Sequence, residues 1–345
     1  MKKYYSLAVA CIALFLCSCS KEDLNGTVTN STTSANASTK AEGSILTLIP
    51  NKSLNYGALI GAPSVTGSID FQLNVADDLG VSCLRERTNV PSNTPDPIVV
   101  KSNYKVLLNF CRGSFSSGTP MPFVTNLTQY KKDLKSTLAV YTVNPAVAVI
   151  ENEESNKLYY SGSAQQYINQ LKAAISVMHG RGIKVANGGI TSTGLNYLVY
   201  QDFMNQGKTD SAERFKQLTG VAPKALTIQE RGRFVDTLLQ AYATINLDYV
   251  NFHWKGTSPN TEALQSVINY MKKRTNKPVI SNEFGQFDKE VVTLQAMLQV
   301  ATDNNLPYVV WYSPDENAGK KDTPLHHSDQ SLTPNGFAYK DYLKN

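Results

Sequence analysis

The sequence is short of several things, and each shortage excludes something. Lys and Arg are scattered, the net charge is only +5, and no nucleic-acid-binding motif occurs, so nucleic acid is not an expected partner. The first apolar run is not followed by a Gly-rich phosphate loop. "GAPSVTGS" lacks that spacing, which argues against an open doubly wound nucleotide-binding sheet. No motif supports a Ser or Cys nucleophile. Three of the five cysteines lie in or beside the N-terminal apolar run, which leaves Cys83 and Cys111 for the body. They fall on neighbouring parallel strands, where a bridge has difficult geometry. Two buried thiols are therefore expected rather than a disulfide. The N-terminal run itself, Leu7 to Leu16, is too short to span a bilayer.

What is present begins with that run. Lys2 and Lys3 precede it, which gives the shape of a secretion signal. It ends in Leu16-Cys17-Ser18-Cys19, which resembles a bacterial lipobox with Cys19 as the lipidated residue. The resemblance implies a signal peptide over 1–18 and a membrane anchor at Cys19. An ordinary signal peptide cut nearby is the other reading. Ser20-Lys21-Glu22-Asp23 is similar to the acidic tags of Gram-negative lipoproteins displayed at the outer face of the cell. The expected location is thus the outer membrane of a Gram-negative bacterium, with a lean toward surface display. Residues 19–44 are rich in Ser, Thr, Asn and Ala, a composition that cannot bury a core and reads as a flexible tether. One domain over 45–345 follows.

Apolar runs and helical patterns alternate through that domain. Runs at 57–63, 81–87, 105–112, 146–153, 183–189, 248–254, 278–283 and 307–312 read as strands. In "SAQQYINQLKAAISVMHGRG", Ile168, Leu171, Ile175 and Met178 share one helical face, and Gly180 and Gly182 end the helix. The stretch 88–104 is Pro-rich and offers about one helical turn. The longer stretch 190–247 holds at least two helical patterns and reads as a cover over one end of the sheet plus an outer helix. Eight such repeats predict an α/β fold, a (β/α)₈ TIM barrel.

Catalytic groups of such barrels gather at the C-terminal strand ends. Here those ends carry Arg85 and Arg87, Arg112, Glu151-Asn152-Glu153-Glu154, Asn187, His253-Trp254, Asn282-Glu283 and Trp311-Tyr312. Two carboxylates facing across a barrel mouth suit glycoside hydrolysis. At these residues the chain resembles the retaining (β/α)₈ glycosidases of glycoside hydrolase clan A. The resemblance runs from about Tyr56 to Leu343. It implies that Glu153, after Asn152, is the acid/base, and that Glu283 in "SNEFG" is the nucleophile. It implies that Asn152 binds the sugar 2-hydroxyl, that Arg85 keeps Glu283 ionised, and that Trp311 floors the reactive sugar. His253 supports the pair, and Asn187 and Tyr312 are further candidates for substrate contact. A polysaccharide or oligosaccharide is the implied substrate, with no cofactor and no metal.

Departures and other readings stand beside this. Glu151 shares strand parity with Glu153 and could share the site. Lys255 stands two residues after His253, where many clan members have a Tyr that hydrogen-bonds the nucleophile. Five of the site residues also have a plain structural reading: an ion-pair partner for Glu283, a loop acid for Glu153, a core histidine for His253, a partner of Glu86 or another neighbour for Arg85, ordinary core for Trp311. His326, His327 and Asp329 look like a metal cluster, but adjacent residues on a polar loop rarely converge on one ion. Tyr-rich composition, with 18 Tyr, suits a sugar-facing surface or a plain core. A carbohydrate-binding lipoprotein without catalysis, or a transglycosylase using the same residues, are the alternatives to a hydrolase.

Overall fold

The structure, a computed structural model, describes residues 54–62, 68–112, 119–257, 261–314 and 324–344. The lipobox with Cys19 and the tether lie outside the described residues. Eight strands run in parallel: β1 (Asn55–Ile60), β2 (Cys83–Asn89), β3 (Lys105–Cys111), β4 (Val147–Ile150), β5 (Lys184–Asn187), β6 (Val250–Gly256), β7 (Val279–Gln286) and β8 (Tyr308–Ser313). Their order is β5-β4-β3-β2-β1-β8-β7-β6. The two ends of that series meet through isolated parallel bridges, Ala186 with Tyr249 and Ile190 with Phe252. The sheet is therefore a closed (β/α)₈ barrel with one thin seam.

Alternation along the strands sorts side chains into two apolar layers. Cys83, Leu107, Val147, Val149, Ala186, Ile280 and Val310 fill the barrel interior. Their neighbours Leu84, Leu108, Ala148, Ile150, Val185, Val279 and Val309 face outward into the larger core beneath the helices. Cys83 pairs in register with Lys105, and Cys111 with Asn89. The two buried thiols thus sit at opposite ends of adjacent strands, too far apart to bridge.

The helices are α1 (Ile69–Leu79), α2 (Pro97–Lys101), α3 (Leu127–Ala139), α4 (Ala164–His179), α5 (Ser192–Asn205), α6 (Thr209–Thr219), α7 (Leu226–Thr244), α8 (Thr261–Thr275), α9 (Val291–Asp303) and α10 (Pro334–Lys344). α4 shows why they form. Ser163 and Gln166 make a reciprocal capping box at its start, worth about 1 kcal/mol. Ile168, Leu171, Ile175 and Met178 are all buried, each contributing roughly 1.5–3 kcal/mol. α2, in the Pro-rich stretch, starts on Asp96, whose carboxylate accepts from the amides of Ile98 and Val99.

Sequence alone places 190–247 partly over the barrel mouth. Instead α5 packs against α7 and α8, and α6 against α5 and α8, on the helical layer. Gly194 lets α5 approach α7 closely, since a Cβ there would lie 2.6 Å from the Arg231 carbonyl oxygen.

Candidate active site

β7 answers how a buried strand can end on a carboxylate. Asn251 of β6 pairs with Ile280, but His253 pairs with Glu283, so two β7 residues oppose Phe252 alone. The same extra residue appears against β8, between Ser281 and Phe284. Ser281 Oγ donates to the Phe252 carbonyl and pins the irregularity at 2.7 Å. Strict alternation would send Glu283 outward after Asn282. The extra residue lets both side chains enter the barrel mouth and returns Phe284 to the outer core.

β4 solves the same problem differently. The strand stops at Ile150, and Glu151 and Glu153 both take positive φ, 67° and 53°. Such values cost of order 1–3 kcal/mol for non-glycine residues and persist where surrounding contacts enforce them. They turn four consecutive polar residues to different partners. Asn152 Oδ1 accepts from Arg85 Nη2 at 2.6 Å. Glu153 Oε1 meets His253 Nδ1 at 3.0 Å, and its Oε2 accepts from Asn156 Nδ2 at 2.8 Å. Glu151 turns away to Tyr160, Gln170 and the amide of Arg112. Glu154 turns to Tyr242 and Asn187, at 2.8 and 2.7 Å. The parity argument that let Glu151 share the site fails because the strand has already ended.

The carboxylates of Glu153 and Glu283 are each 2% exposed, and an oxygen of one lies within 4.8 Å of an oxygen of the other. Glu283 is surrounded by basic side chains. Arg85 Nη1 donates to its Oε2 at 2.6 Å, Lys255 Nζ lies 3.2 Å from Oε1, and His253 Nδ1 is 3.7 Å from Oε2. Burial pushes the Glu283 carboxyl up, but Lys255, His253 and Arg85 together outweigh it and hold the group well below the usual carboxylate range. Burial pushes Glu154 up to about 7, against the hydrogen bonds of Tyr242 and Asn187. Glu151 is raised by burial too, partly offset by its hydrogen bonds.

Beneath the carboxylates lies a belt of asparagines, Asn109, Asn251 and Asn282, of which only Asn282 stands at a strand end in the sequence. Asn109 of β3 accepts from Arg85 Nε and from Asn282 Nδ2. Asn251 of β6 and Asn282 of β7 exchange hydrogen bonds, and Asn282 Oδ1 also meets His253 Nε2 at 2.9 Å. The available signal was a lone Asn inside an apolar strand, as in "KVLLNFC" and "DYVNFHW". A buried amide needs partners, and a ring of them supplies one another.

Arg85, Asn152, Glu153, His253 and Glu283 are thus brought together. Tyr312 joins them, inward-facing like Val310, with Lys255 Nζ 4.1 Å from its ring centroid. Trp311 is not part of this group. One residue of alternation sends it outward, fully buried between Phe284 and Tyr339 with ring centroids 6.1 and 6.2 Å away. Asn187 is also diverted: it exchanges hydrogen bonds with Asn251 across the barrel seam and donates to Glu154, with no exposed surface. His326 packs edge-on against Phe71 and Asp329 binds Ser331, so the suspected metal cluster disperses. Among the described residues Glu153, His253 and Glu283 do have metal-like spacing. A divalent ion there would face the full charges of Arg85 and Lys255 on the same carboxylate.

Fold and site define a class: a (β/α)₈ barrel with facing carboxylates at the C-terminal ends of β4 and β7. No family model matches the chain, and no curated protein matches it. Solved structures of the same fold are glycoside hydrolases. A GH128 (subgroup I) endo-β-1,3-glucanase from Amycolatopsis mediterranei, in complex with laminaritriose, aligns at 12% identity and TM-score 0.52 over 84% of this chain and 99% of that one. A GH128 (subgroup II) endo-β-1,3-glucanase from Sorangium cellulosum aligns at 16% identity and TM-score 0.52, over 84% and 98%. A fungal β-1,4-galactanase aligns at 12% identity and TM-score 0.53, over 83% and 99%. At these identities the likeness is one of fold, an eight-stranded (β/α)₈ barrel.

Proposed function

We propose that the protein is a retaining glycoside hydrolase acting on a polysaccharide or oligosaccharide. The observation that carries the reading is the carboxylate pair, with oxygens within 4.8 Å of each other. Retaining enzymes hold their carboxyl groups about 5–5.5 Å apart and inverting ones about 6.5–9.5 Å. Glu283, kept ionised by Arg85 and Lys255, attacks the anomeric carbon. Glu153 protonates the leaving oxygen and then deprotonates the attacking water. Asn152, held by Arg85, faces the sugar 2-hydroxyl, and Tyr312 offers a ring to the sugar. No cofactor is needed for these steps.

The test is hydrolysis of a panel of polysaccharides by protein lacking residues 1–19, run beside Glu283→Ala. β-1,3-Glucan and β-1,4-galactan come first, because proteins of the same fold act on them. Product from the parent and none from the variant supports the reading. A second reading, a surface carbohydrate-binding protein on the barrel scaffold, is favoured by one observation. Both Glu283 oxygens are engaged by cations. No product from either protein, with both retarded in gels containing one polysaccharide, selects that reading.

We further propose, on the sequence alone, that Cys19 carries a lipid and residues 19–44 tether the barrel to the outer membrane. Loss of detergent-phase partitioning on Cys19→Ala is the expected result.

A further inference from the structure

Two independent anchors fix which way the Asn282 amide faces. The backbone carbonyl of Glu151 can only accept, so the Asn109 amide nitrogen must face it, at 2.8 Å. Asn109 Oδ1 is then the atom that accepts from Arg85 Nε, a donor only, and from Asn282 Nδ2 at 3.0 Å. From the other side, the backbone N–H of Asn282 can only donate, which fixes Asn251 Oδ1 against it at 3.0 Å. Asn251 Nδ2 then donates to the Asn187 carbonyl and to Asn282 Oδ1 at 2.6 Å. Both chains leave an acceptor, Asn282 Oδ1, 2.9 Å from His253 Nε2. Nε2 therefore carries a hydrogen. The ring has no room to shift toward Gly189, where even a Cβ would lie 2.2 Å from Nε2.

The other ring nitrogen, Nδ1, lies 3.0 Å from Glu153 Oε1. With Nε2 protonated, a neutral ring presents a bare Nδ1, which only a protonated Glu153 can satisfy. An ionised Glu153 requires a protonated Nδ1. Either way the contact contains one proton. We infer that His253 is a positioning residue whose Nδ1 holds, jointly with Glu153, the proton delivered to the leaving oxygen. The inference rests on the hydrolase reading and adds to it the place where the transferred proton waits.

The bookkeeping closes over one cycle. In the first step the shared proton passes to the glycosidic oxygen as that oxygen's bond to the anomeric carbon breaks and Glu283 bonds to the carbon. In the second, water bonds to the anomeric carbon, the Glu283 ester bond breaks, and the water's proton returns to the Glu153–His253 contact. The charged groups facing His253 are Glu153 after β4, Glu283 of β7 at 3.7 Å, and Glu154 behind Glu153, while Arg85 of β2 and Lys255 of β6 neutralise Glu283.

The proton's place can be read without turnover. The chain has only 4 His, so protein labelled with ¹⁵N-histidine gives few ring signals, and His253→Gln identifies the pair that belongs to position 253. The expected result is a protonated Nε2 and, in Glu153→Gln, the Nδ1 signal of a bare nitrogen, because Asn156 Nδ2 holds the amide oxygen and leaves the amide NH₂ to donate toward Nδ1. A bare Nε2, or an Nδ1 that stays protonated in Glu153→Gln, overturns the inference. Because this readout needs no substrate, its failure is distinct from failure of the hydrolase reading. A kinetic arm separates proton positioning from support of the fold. On aryl glycosides of a cleaved sugar, His253→Gln should slow poor leaving groups at least ~10-fold more than dinitrophenolate, which needs little protonation. Equal slowing of both would mean that His253 only supports the site.

Discussion

Lys255 Nζ lies 3.2 Å from Glu283 Oε1, on the opposite oxygen from Arg85. A cation thus stands where the sequence resemblance leads one to expect a neutral Tyr, and it closes a cage around the candidate nucleophile. The same ammonium lies against the face of Tyr312, 4.1 Å from its centroid, which orients it.

Removing that charge has a signed consequence. Lys255 is the foremost of the charges that hold Glu283 below the usual carboxylate range. Lys255→Met should move the Glu283 ionisation upward, toward that range. The acidic limb of the kcat/KM–pH profile should therefore shift to higher pH, measured on any cleaved substrate. An unmoved limb would mean that Lys255 does not tune the nucleophile.

Glu154 sets a pH dependence of stability. Its carboxyl is raised from 4.5 to about 7 in the folded protein. The folded state then binds a proton more tightly than the unfolded chain, so stability contributed by this group is lost as pH rises from about 4.5 to about 7. The shift corresponds to roughly 3 kcal/mol. Glu154→Gln keeps an acceptor for Tyr242 and Asn187 and removes the titration. Thermal melts should show little change at pH ~5 and a clear gain over the parent at pH ~8. A variant less stable at both values would contradict this.

Trp311 and Tyr312 should separate cleanly. Trp311 is fully buried in the outer core, so Trp311→Ala should cost about 3–5 kcal/mol in denaturant unfolding. Trp311→Phe should leave KM unchanged. Tyr312→Ala should raise KM by 10-fold or so, the loss of one ring contact worth about 1.4 kcal/mol.

Gly189 has a φ of 110°, and a Cβ on it would meet the His253 ring. Gly189→Ala should abolish hydrolysis or prevent folding, read by activity and circular dichroism. Gly182→Ala, also at positive φ but with open space around it, should cost only about 1 kcal/mol and leave activity intact.

Much of this molecule is legible in its sequence, and the illegible parts have physical causes. Period and apolar runs disclose the eight strands because parallel strands are buried on both faces. The carboxylates are legible because each ends such a run. Side-chain direction at those ends is not. It depends on an extra residue in β7 and on two positive-φ residues after β4, neither of which leaves a local signature. Trp311 departs from expectation for a related reason: resemblance points to an aromatic at the end of β8, and the strand's alternation gives the mouth to Tyr312. Asn187 is diverted from substrate because its amide closes the β5–β6 seam, a contact between residues 64 positions apart that no local pattern announces.

The most direct test of the account follows the anomeric configuration of the first product by ¹H NMR, on whichever glycan the protein cleaves, with Glu283→Gln run in parallel. The account predicts that the fresh reducing end keeps the configuration of the bond cleaved, and that the variant releases less than a thousandth or so of the parent's product. An inverted product, or comparable release by Glu283→Gln, would contradict it.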